Sequence, residues 1–527
     1  MNKTLFLIVT LLISCHALAQ NQKWEVYHGY SNQNASCNDI IEIYDRGLMI
    51  AGQAGSPGWN IKVSTNGSKL YDKLLFHADC IATSWAIEHD PLGNVYVGGM
   101  LACEGVDEFP YIAKFDPCGE KIWCRHFPNS ECIYGGGVLD ILINSKNEII
   151  VLMYYPCGNI GDQIYLAGLN ENGDQLWKKS YASKNNYPPI TNPIAYNIIE
   201  LNNEYYIAGD CYWPYPNNPN HVFLRPLFIG VDNNFNEKWI IPFSVLDSVF
   251  GEARTILPIN DSMLMGIGYR YLEGFNTNTL IMYFNTRGEE LGYFQIPNDV
   301  IGSDIDFNAV REIERINDTL FLSPVYMGIG GQTYFGELVY DDRGGLYKNS
   351  IRSKYFYNGA STKTSDNNFV IGIPVVSSQP YSKIFLYKIN ADLESVPFDT
   401  TQYVYDSLCP HPIQSGTIDL TDCLVITSID ELPSPDEYYE SIRWIPLKAY
   451  PNPVSGLELT IEFENTQHHS NMELRLYDAF GKEMHRRRIY TGQQDTRLDV
   501  GHWPPGLYLG VVYSNGGAVG RCKVMVE

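Results

Sequence analysis

Six cysteines, Cys37, Cys80, Cys103, Cys132, Cys157 and Cys211, recur at loop positions of a chain that carries twelve in all. In an oxidising compartment such thiols pair, and each bond adds about 2–4 kcal/mol while stiffening the loops it joins. Cys409 and Cys423 flank two short apolar runs and read as a separate stapled hairpin. Individual pairings do not follow from sequence. With eleven cysteines after Cys15, at least one is left over, and Cys522 is the expected free thiol.

The same loops carry Trp59, Tyr154, Tyr155, Tyr212, Trp213, Tyr215, Tyr271, Tyr326 and Tyr334. Stiff, aromatic, partly polar loops suit sugar or protein recognition, because ring faces bind apolar patches at little entropic cost. The competing reading is that these rings pack beneath long loops. No zincin helix, serine elbow, phosphate loop or Gly-rich dinucleotide turn occurs, so no catalytic residue, metal ligand or cofactor is assigned. His468-His469 lacks a cysteine or carboxylate at ligand spacing. Asp90, Asp116, Asn172 and Gly173 recur as turn residues, which explains them better than a calcium loop.

The elements that must position these loops form a repeat of roughly fifty residues. One copy reads Ala86-Ile87-Glu88, Gly93-Asn94-Val95-Tyr96-Val97, Tyr111-Ile112-Ala113-Lys114-Phe115 and Gly119-Glu120-Lys121-Ile122-Trp123, and the next returns through Gly173-Asp174-Gln175-Leu176-Trp177. Four short strands per copy are what one propeller blade needs. Fourth-strand anchors fall at Leu70, Trp123, Trp177, Trp239, Leu291, Leu346 and, faintly, Val396. An eighth such phrase, Lys23-Trp24-Glu25-Val26-Tyr27, has no strands before it and is expected to complete the last blade. The class is therefore all-β, a β-propeller of seven blades by this count, with six or eight as the alternatives because the last copy is degraded. In architecture alone it resembles secreted bacterial propellers with quinoprotein-like or Kelch-like repeats. Gly119 to Trp123 is one residue longer than a sialidase Asp-box allows, and too few blades carry the tryptophan for quinone binding to follow. Running up and down four antiparallel strands places the loop after strand two and the loop between blades on one face, where the six cysteines and the nine aromatics gather.

Composition narrows the partners. With 37 Lys and Arg against 60 Asp and Glu, the net charge of −23 repels phosphate backbones, so nucleic acid is excluded as a partner. Thirty-eight tyrosines favour aromatic cross-strand packing. No internal stretch reaches the ~20 apolar residues of a membrane helix.

The two ends read as addresses. Lys3, an apolar run from Leu5 to Ile13 and Ala17-Leu18-Ala19 form a signal-peptide pattern with cleavage expected before Gln20, in competition with a lipoprotein processing site at Leu12-Ile13-Ser14-Cys15. At the other end, Ala449-Tyr450-Pro451-Asn452-Pro453, Leu476-Tyr477-Asp478-Ala479-Phe480-Gly481-Lys482, Pro505-Gly506-Leu507-Tyr508 and Lys523-Val524-Met525-Val526-Glu527 follow in order. Leu457, Leu459, Ile461 and Phe463 alternate with polar neighbours as half-buried strands do. This segment resembles the type A C-terminal sorting domain of type IX secretion cargo in Bacteroidota. The resemblance implies a β-sandwich handled by the type IX secretion machinery and a secreted or cell-surface protein that has passed through the periplasm.

The expected organisation is a signal peptide over 1–19, a propeller over 20–404, the stapled hairpin and an acidic, proline-containing linker over 405–445, and the sorting domain over 446–527. The expected function is binding or adhesion toward a glycan or a surface protein. An extracellular enzyme on polysaccharide or peptide, its acid and base drawn from different blades, and a scaffold without a ligand are the alternatives.

Overall fold

The protein was analysed as a computed structural model that describes residues 23–426 and 447–527, apart from short segments at 78–79, 104–107, 129–131, 133–134, 158–160, 183–189, 216–217, 244–250, 273–275, 355–358, 377–380, 400, 464–471, 479–481, 491 and 515–516. The signal-peptide pattern, the acidic linker and His468-His469 lie outside the described residues. The chain divides into two compact units, one ending at Asp430 and one beginning at Glu431.

Seven sheets follow one another in the first unit, each built on four antiparallel strands, which in the first six run in sequence order from the centre outward. Blade 1 is Ala35–Glu42, Leu48–Ala54, Gly58–Val63 and Lys69–Phe76. Blades 2 to 6 span 80–126, 137–181, 191–242, 251–296 and 305–354. Blade 7 takes three strands from 360–389 and its fourth, Glu25–His28, from the other end of the unit. Glu25 pairs with Tyr387 and Tyr27 with Phe385, so the N-terminal phrase closes the ring as its sequence implied. Val396 is in no strand; it accepts a hydrogen bond from the Trp24 amide and leads away. The innermost strand of blade 1 meets those of blades 2 and 7, which completes the circle.

The tryptophan period has a local cause. Trp123 of blade 2 lies on Gly173 of blade 3, where an added Cβ would sit 2.7 Å from the indole. Trp239 meets Gly288 and Trp24 meets Gly67 in the same way. All three glycines have positive φ, so the turn and the indole require glycine together. In each case the indole N–H donates to a carbonyl of that turn: Glu171, Thr286 and Thr65. Asp90 and Asp116 accept from amides two and four residues on, which fixes the turns that begin with them.

Past the ring, the chain runs over the outer edges of blades 1 and 2. Gly416–Asp419 adds a parallel strand beside Lys69–Phe76, and Leu424–Val425 adds one beside Lys121–His126. Cys409 is bonded to Cys118 and Cys423 to Cys124. This corrects the expected stapled hairpin: the two segments each find an open blade edge rather than each other, and the bridging sulfurs come from blade 2. Lys62, fully buried, ties the strap to blade 1 through Asp406 and Asp45, each at 2.5 Å.

The second unit stacks a three-stranded sheet (Leu447–Tyr450, Glu458–Phe463, Asp495–Asp499) on a four-stranded one (Glu483–Ile489, Met472–Tyr477, Gly506–Ser514, Gly517–Val526). Leu459, Ile461, Phe463, Leu474 and Leu476 are buried between them, whereas Leu457 is exposed. Distant motifs meet here. Asn452 donates from its side chain to the Lys523 carbonyl and accepts from the Met525 amide, and Val454 exchanges backbone bonds with Met525 and Glu527.

Candidate functional site

Every innermost strand of blades 1 to 5 carries a register shift at the same place, which leaves one extra residue: Asn38, Trp85, Leu139, Tyr196 and Arg254. A β-bulge bends the strand and re-aims that side chain. The residue after it serves the ring. Asp39 accepts from the Ile87 amide of blade 2, Asp140 from the Ile198 amide of blade 4, and Asn197 from the Ile256 amide of blade 5. Asn197 also donates to Asp140, so polar side chains belt the inner wall from blade to blade. Burial pushes Asp39 up to about 8 and Asp140 up to about 7, with neighbouring carboxylates adding to the rise.

In blades 4 and 5 the extra residues build a site. The Arg254 guanidinium lies 3.9 Å from the centre of the Tyr196 ring, pairs with Glu252 and donates to the Tyr269 hydroxyl at 3.3 Å. Three phenols each donate to a carboxylate: Tyr196 to Asp210 at 2.7 Å, Tyr154 to Asp162 at 2.8 Å and Tyr271 to Glu252 at 2.9 Å. These pairs come from blades 4, 3 and 5 in turn, all on the face that bears the loops after strand two and the loops between blades.

The electrostatics bind the three pairs into one cluster. Burial pushes Asp210 up to about 7; Glu252 and Asp162 add to that, while the Tyr196 phenol and Arg254 oppose it. Asp162 is raised by burial against the pull of Tyr154. Burial also raises Tyr154, Tyr196, Tyr269 and Tyr271, which keeps these phenols protonated and able to donate. Burial works against the Arg254 charge, but Tyr196 and Glu252 more than restore it. The cluster thus combines a fixed cation, aromatic faces, neutral donors and a carboxyl that gains or loses a proton near neutral pH.

Of the expected ligand-face aromatics, the structure brings Tyr154, Tyr212 and Tyr271 to this cluster, Tyr212 more than a third exposed. Trp59 and Tyr155 are corrections. Trp59 is fully buried between blades 1 and 7 and donates to Asp72; Tyr155 is buried and donates to the Phe127 carbonyl. Both rings point between sheets, the direction that a blade core demands. Trp213 packs on the core shared by blades 3 and 4, and Tyr326 on that of blades 6 and 7, where its hydroxyl accepts from the Gly359 amide. Tyr334 is half-buried in blade 6, and the Tyr215 side chain lies outside the described residues.

Among the cysteines, Cys80–Cys103 joins the facing ends of the first two strands of blade 2, and Cys132–Cys157 joins an inter-blade loop to the loop after strand two. Cys37 and Cys211 are corrections: both are free and buried, packed in the cores of the blade 7–1 and blade 3–4 junctions. Cys118 and Cys124 take their places among the bonded set, and Cys522 is free as expected. The metal-like groups His77, Cys80, Cys103 and Cys124, Asp422, Cys423 contain sulfurs already committed to disulfides, so they offer no thiolate ligand.

Sequence reasoning missed Tyr196, Asp210, Glu252, Arg254 and Asp162. A signal was present: Asn38-Asp39-Ile40, Trp85-Ala86-Ile87, Leu139-Asp140-Ile141, Tyr196-Asn197-Ile198 and Arg254-Thr255-Ile256 align, and their first position is the one free to vary in chemistry.

Residues 448–527 match the secretion system C-terminal sorting domain family. The protein is therefore cargo of the type IX secretion system, delivered to the cell surface or beyond it. Among the described residues no helix is long and apolar enough to cross a membrane. No curated protein matches the chain. Solved structures similar to it include an ulvan lyase, a polysaccharide lyase bound to its sugar (8% identity, TM-score 0.45, 71% of this chain and 98% of that one), and virginiamycin B lyase of Staphylococcus aureus (12%, 0.41, 69% and 98%). A protein of unknown function from Bacteroides caccae is similar at 12% identity and a TM-score of 0.32, over 52% of this chain and 93% of that one. Likeness this distant transfers no site or chemistry.

Proposed function

We propose that the ring is the recognition module of an exported surface protein, and that it takes a hydroxyl-rich ligand, a glycan, on the face that carries the blade 3–5 cluster. The observation that carries this reading is the set of three phenol–carboxylate pairs around Arg254. Ring faces stack on sugar C–H surfaces, while paired phenols, carboxylates and a guanidinium meet hydroxyls at fixed angles. The two disulfides on the same face, Cys80–Cys103 and Cys132–Cys157, hold neighbouring loops in place and so lower the entropy lost on binding. In this reading export starts with signal-peptide cleavage before Gln20.

A glycan array probed with the full mature chain tests the proposal. Arg254→Ala and Tyr196→Phe are each expected to weaken the strongest glycan signal at least tenfold, whereas an array with no signal, or one that both variants leave intact, removes this reading. A second reading rests on Asp210, whose carboxyl near 7 beside the Tyr196 phenol suits proton transfer at neutral pH. Release of new reducing ends from an array polysaccharide, lost in Asp210→Asn, would favour it.

A further inference from the structure

The four-stranded sheet of the sorting domain has an inner and an outer face, and successive residues of each strand alternate between them. Leu474, Leu476, Tyr508, Val512, Val524 and Val526 turn inward and are buried. The residues between them turn outward. Register places Arg486 beside Arg475, Arg475 beside Val511 and Val511 beside Arg521. In the next row Tyr477 lies beside Leu509 and Leu509 beside Lys523, and Leu507 then faces Met525. Core packing accounts for the inward half of each sorting motif. It gives no task to the outward half, Tyr477, Leu507, Lys523 and Met525.

The outer face is basic and partly apolar. Arg475 and Arg486 share Glu473 and Glu483, with Arg475 at 2.7 Å from Glu473 and Arg486 at 2.9 Å from Glu483. Arg488, Arg521 and Lys523 are exposed and have no acidic partner among the described residues. Next to Arg521 and Lys523, the side chains of Leu507, Leu509 and Met525 are 45%, 40% and 41% exposed. An isolated exposed aliphatic residue needs no cause, but three neighbours beside unpaired cations form a patch. Residues 448–527 hold nine Lys and Arg against nine Asp and Glu, so the net charge of −23 lies wholly in the chain before them. An acidic chain therefore ends in one domain that gathers cations on a single sheet face.

We propose that this face is the surface by which the export machinery recognises the chain, docking on a protein partner that presents carboxylates to Arg521 and Lys523 and an apolar recess to Leu507, Leu509 and Met525. Opposite charges steer such an encounter and fix its register, while the aliphatic side chains supply the desolvated centre of the contact. An anionic lipid surface fits less well. The acidity of the preceding chain would repel it, and among the described residues this face carries no tryptophan or phenylalanine to enter a bilayer. The assignment rests on the family match of residues 448–527 and is independent of the glycan reading.

The full chain carrying Arg521→Glu and Lys523→Glu, made in the organism that exports it, tests the proposal, with export read as the ratio of protein outside the cell to protein retained in the envelope. That ratio is expected to fall tenfold or more. Calorimetry of the purified variant should show an unchanged melting transition, since both side chains are exposed. Arg521→Lys with Lys523→Arg should export normally, and Leu507→Ser with Met525→Ser should fail as the charge reversal does; if the reversal lowers the transition, this second pair decides in its place. Normal export of the charge-reversed chain overturns the proposal. Failure of the charge-preserving pair with its transition intact also overturns it, because shape rather than charge would then be read. If the wild-type chain sediments with vesicles of phosphatidylcholine and phosphatidylglycerol but not with phosphatidylcholine alone, and the reversal abolishes this, the partner is a lipid and the assignment to a protein fails.

Discussion

The indole N–H of Trp24 donates to the carbonyl of Thr65 at 2.6 Å, which joins the first described strand of the chain to the outer turn of blade 1 from its place in blade 7. Trp24 is buried to 1% exposure, and Tyr27, three residues further on in strand Glu25–His28, stacks on Phe385 with centroids 4.7 Å apart. Replacing Trp24 with Ala should cost about 3–5 kcal/mol, the usual range for a buried aromatic, and should broaden the thermal transition as blade 7 loses its fourth strand. Calorimetry of the purified variant measures both, and a transition unchanged in midpoint and width would show that the ring closes without it.

The strap should behave as a covalently held clasp. In the double variant Cys409→Ser, Cys423→Ser, Cys118 and Cys124 lose their partners and two bridges that close loops of about 300 residues disappear. Each removal is expected to lower stability by about 2–5 kcal/mol. Limited proteolysis should then cut within 405–426 before it cuts the blades; uniform resistance of that segment would mean the added strands hold alone.

Stability should depend on pH in a direction set by the raised carboxyls. Asp39 sits at about 8, and Asp140, Asp210 and Glu314 at about 7, all above the ordinary carboxylate value, chiefly through burial. The folded state therefore binds these protons before the unfolded chain does, so their stabilising contribution is complete below about pH 4 and is lost as pH rises through 7 to 8. Asp366 has the opposite sign. Hydrogen bonds to Lys388 and Thr364 outweigh its burial and hold it at about 2, so its contribution falls away in strong acid. The melting temperature should peak in mildly acidic buffer and decline toward pH 8. Asp210→Asn should flatten part of the decline, and an identical slope in the variant would show that Asp210 does not titrate there.

Export should need the last strand intact. Val524 and Val526 are buried in the sandwich, and Lys523 and Met525 bond to Asn452. Removing Lys523 to Glu527 takes away the partner of the proline-containing motif and is expected to leave the protein inside the cell envelope. Immunoblots of cells and medium read the outcome, and normal amounts outside would exclude a role for these residues in sorting.

The repeat was legible because its causes are local. Turn carboxylates cap their own loops, positive-φ glycines sit beneath tryptophans one blade away, and strand alternation shows in any window. The pairings of Cys118 with Cys409 and Cys124 with Cys423 join residues 291 and 299 apart, and no local pattern encodes them. Trp59 was misplaced because whether an aromatic near a strand end faces solvent or the next sheet depends on the neighbouring blade. Tyr196 and Arg254 were hidden for a related reason: a bulge changes where a side chain points without changing the residues around it.

The two closures also set an order of assembly. Strand Glu25–His28 emerges from the ribosome early but pairs with Ser382–Ile389, and the outer edges of blades 1 and 2 are covered by residues 416–425. The earliest-made blades thus keep unpaired edges until nearly the whole propeller has been synthesised, and contacts of such long separation are slow to form. Neither the ring nor its clasp can close, therefore, before residues 382–425 have been made.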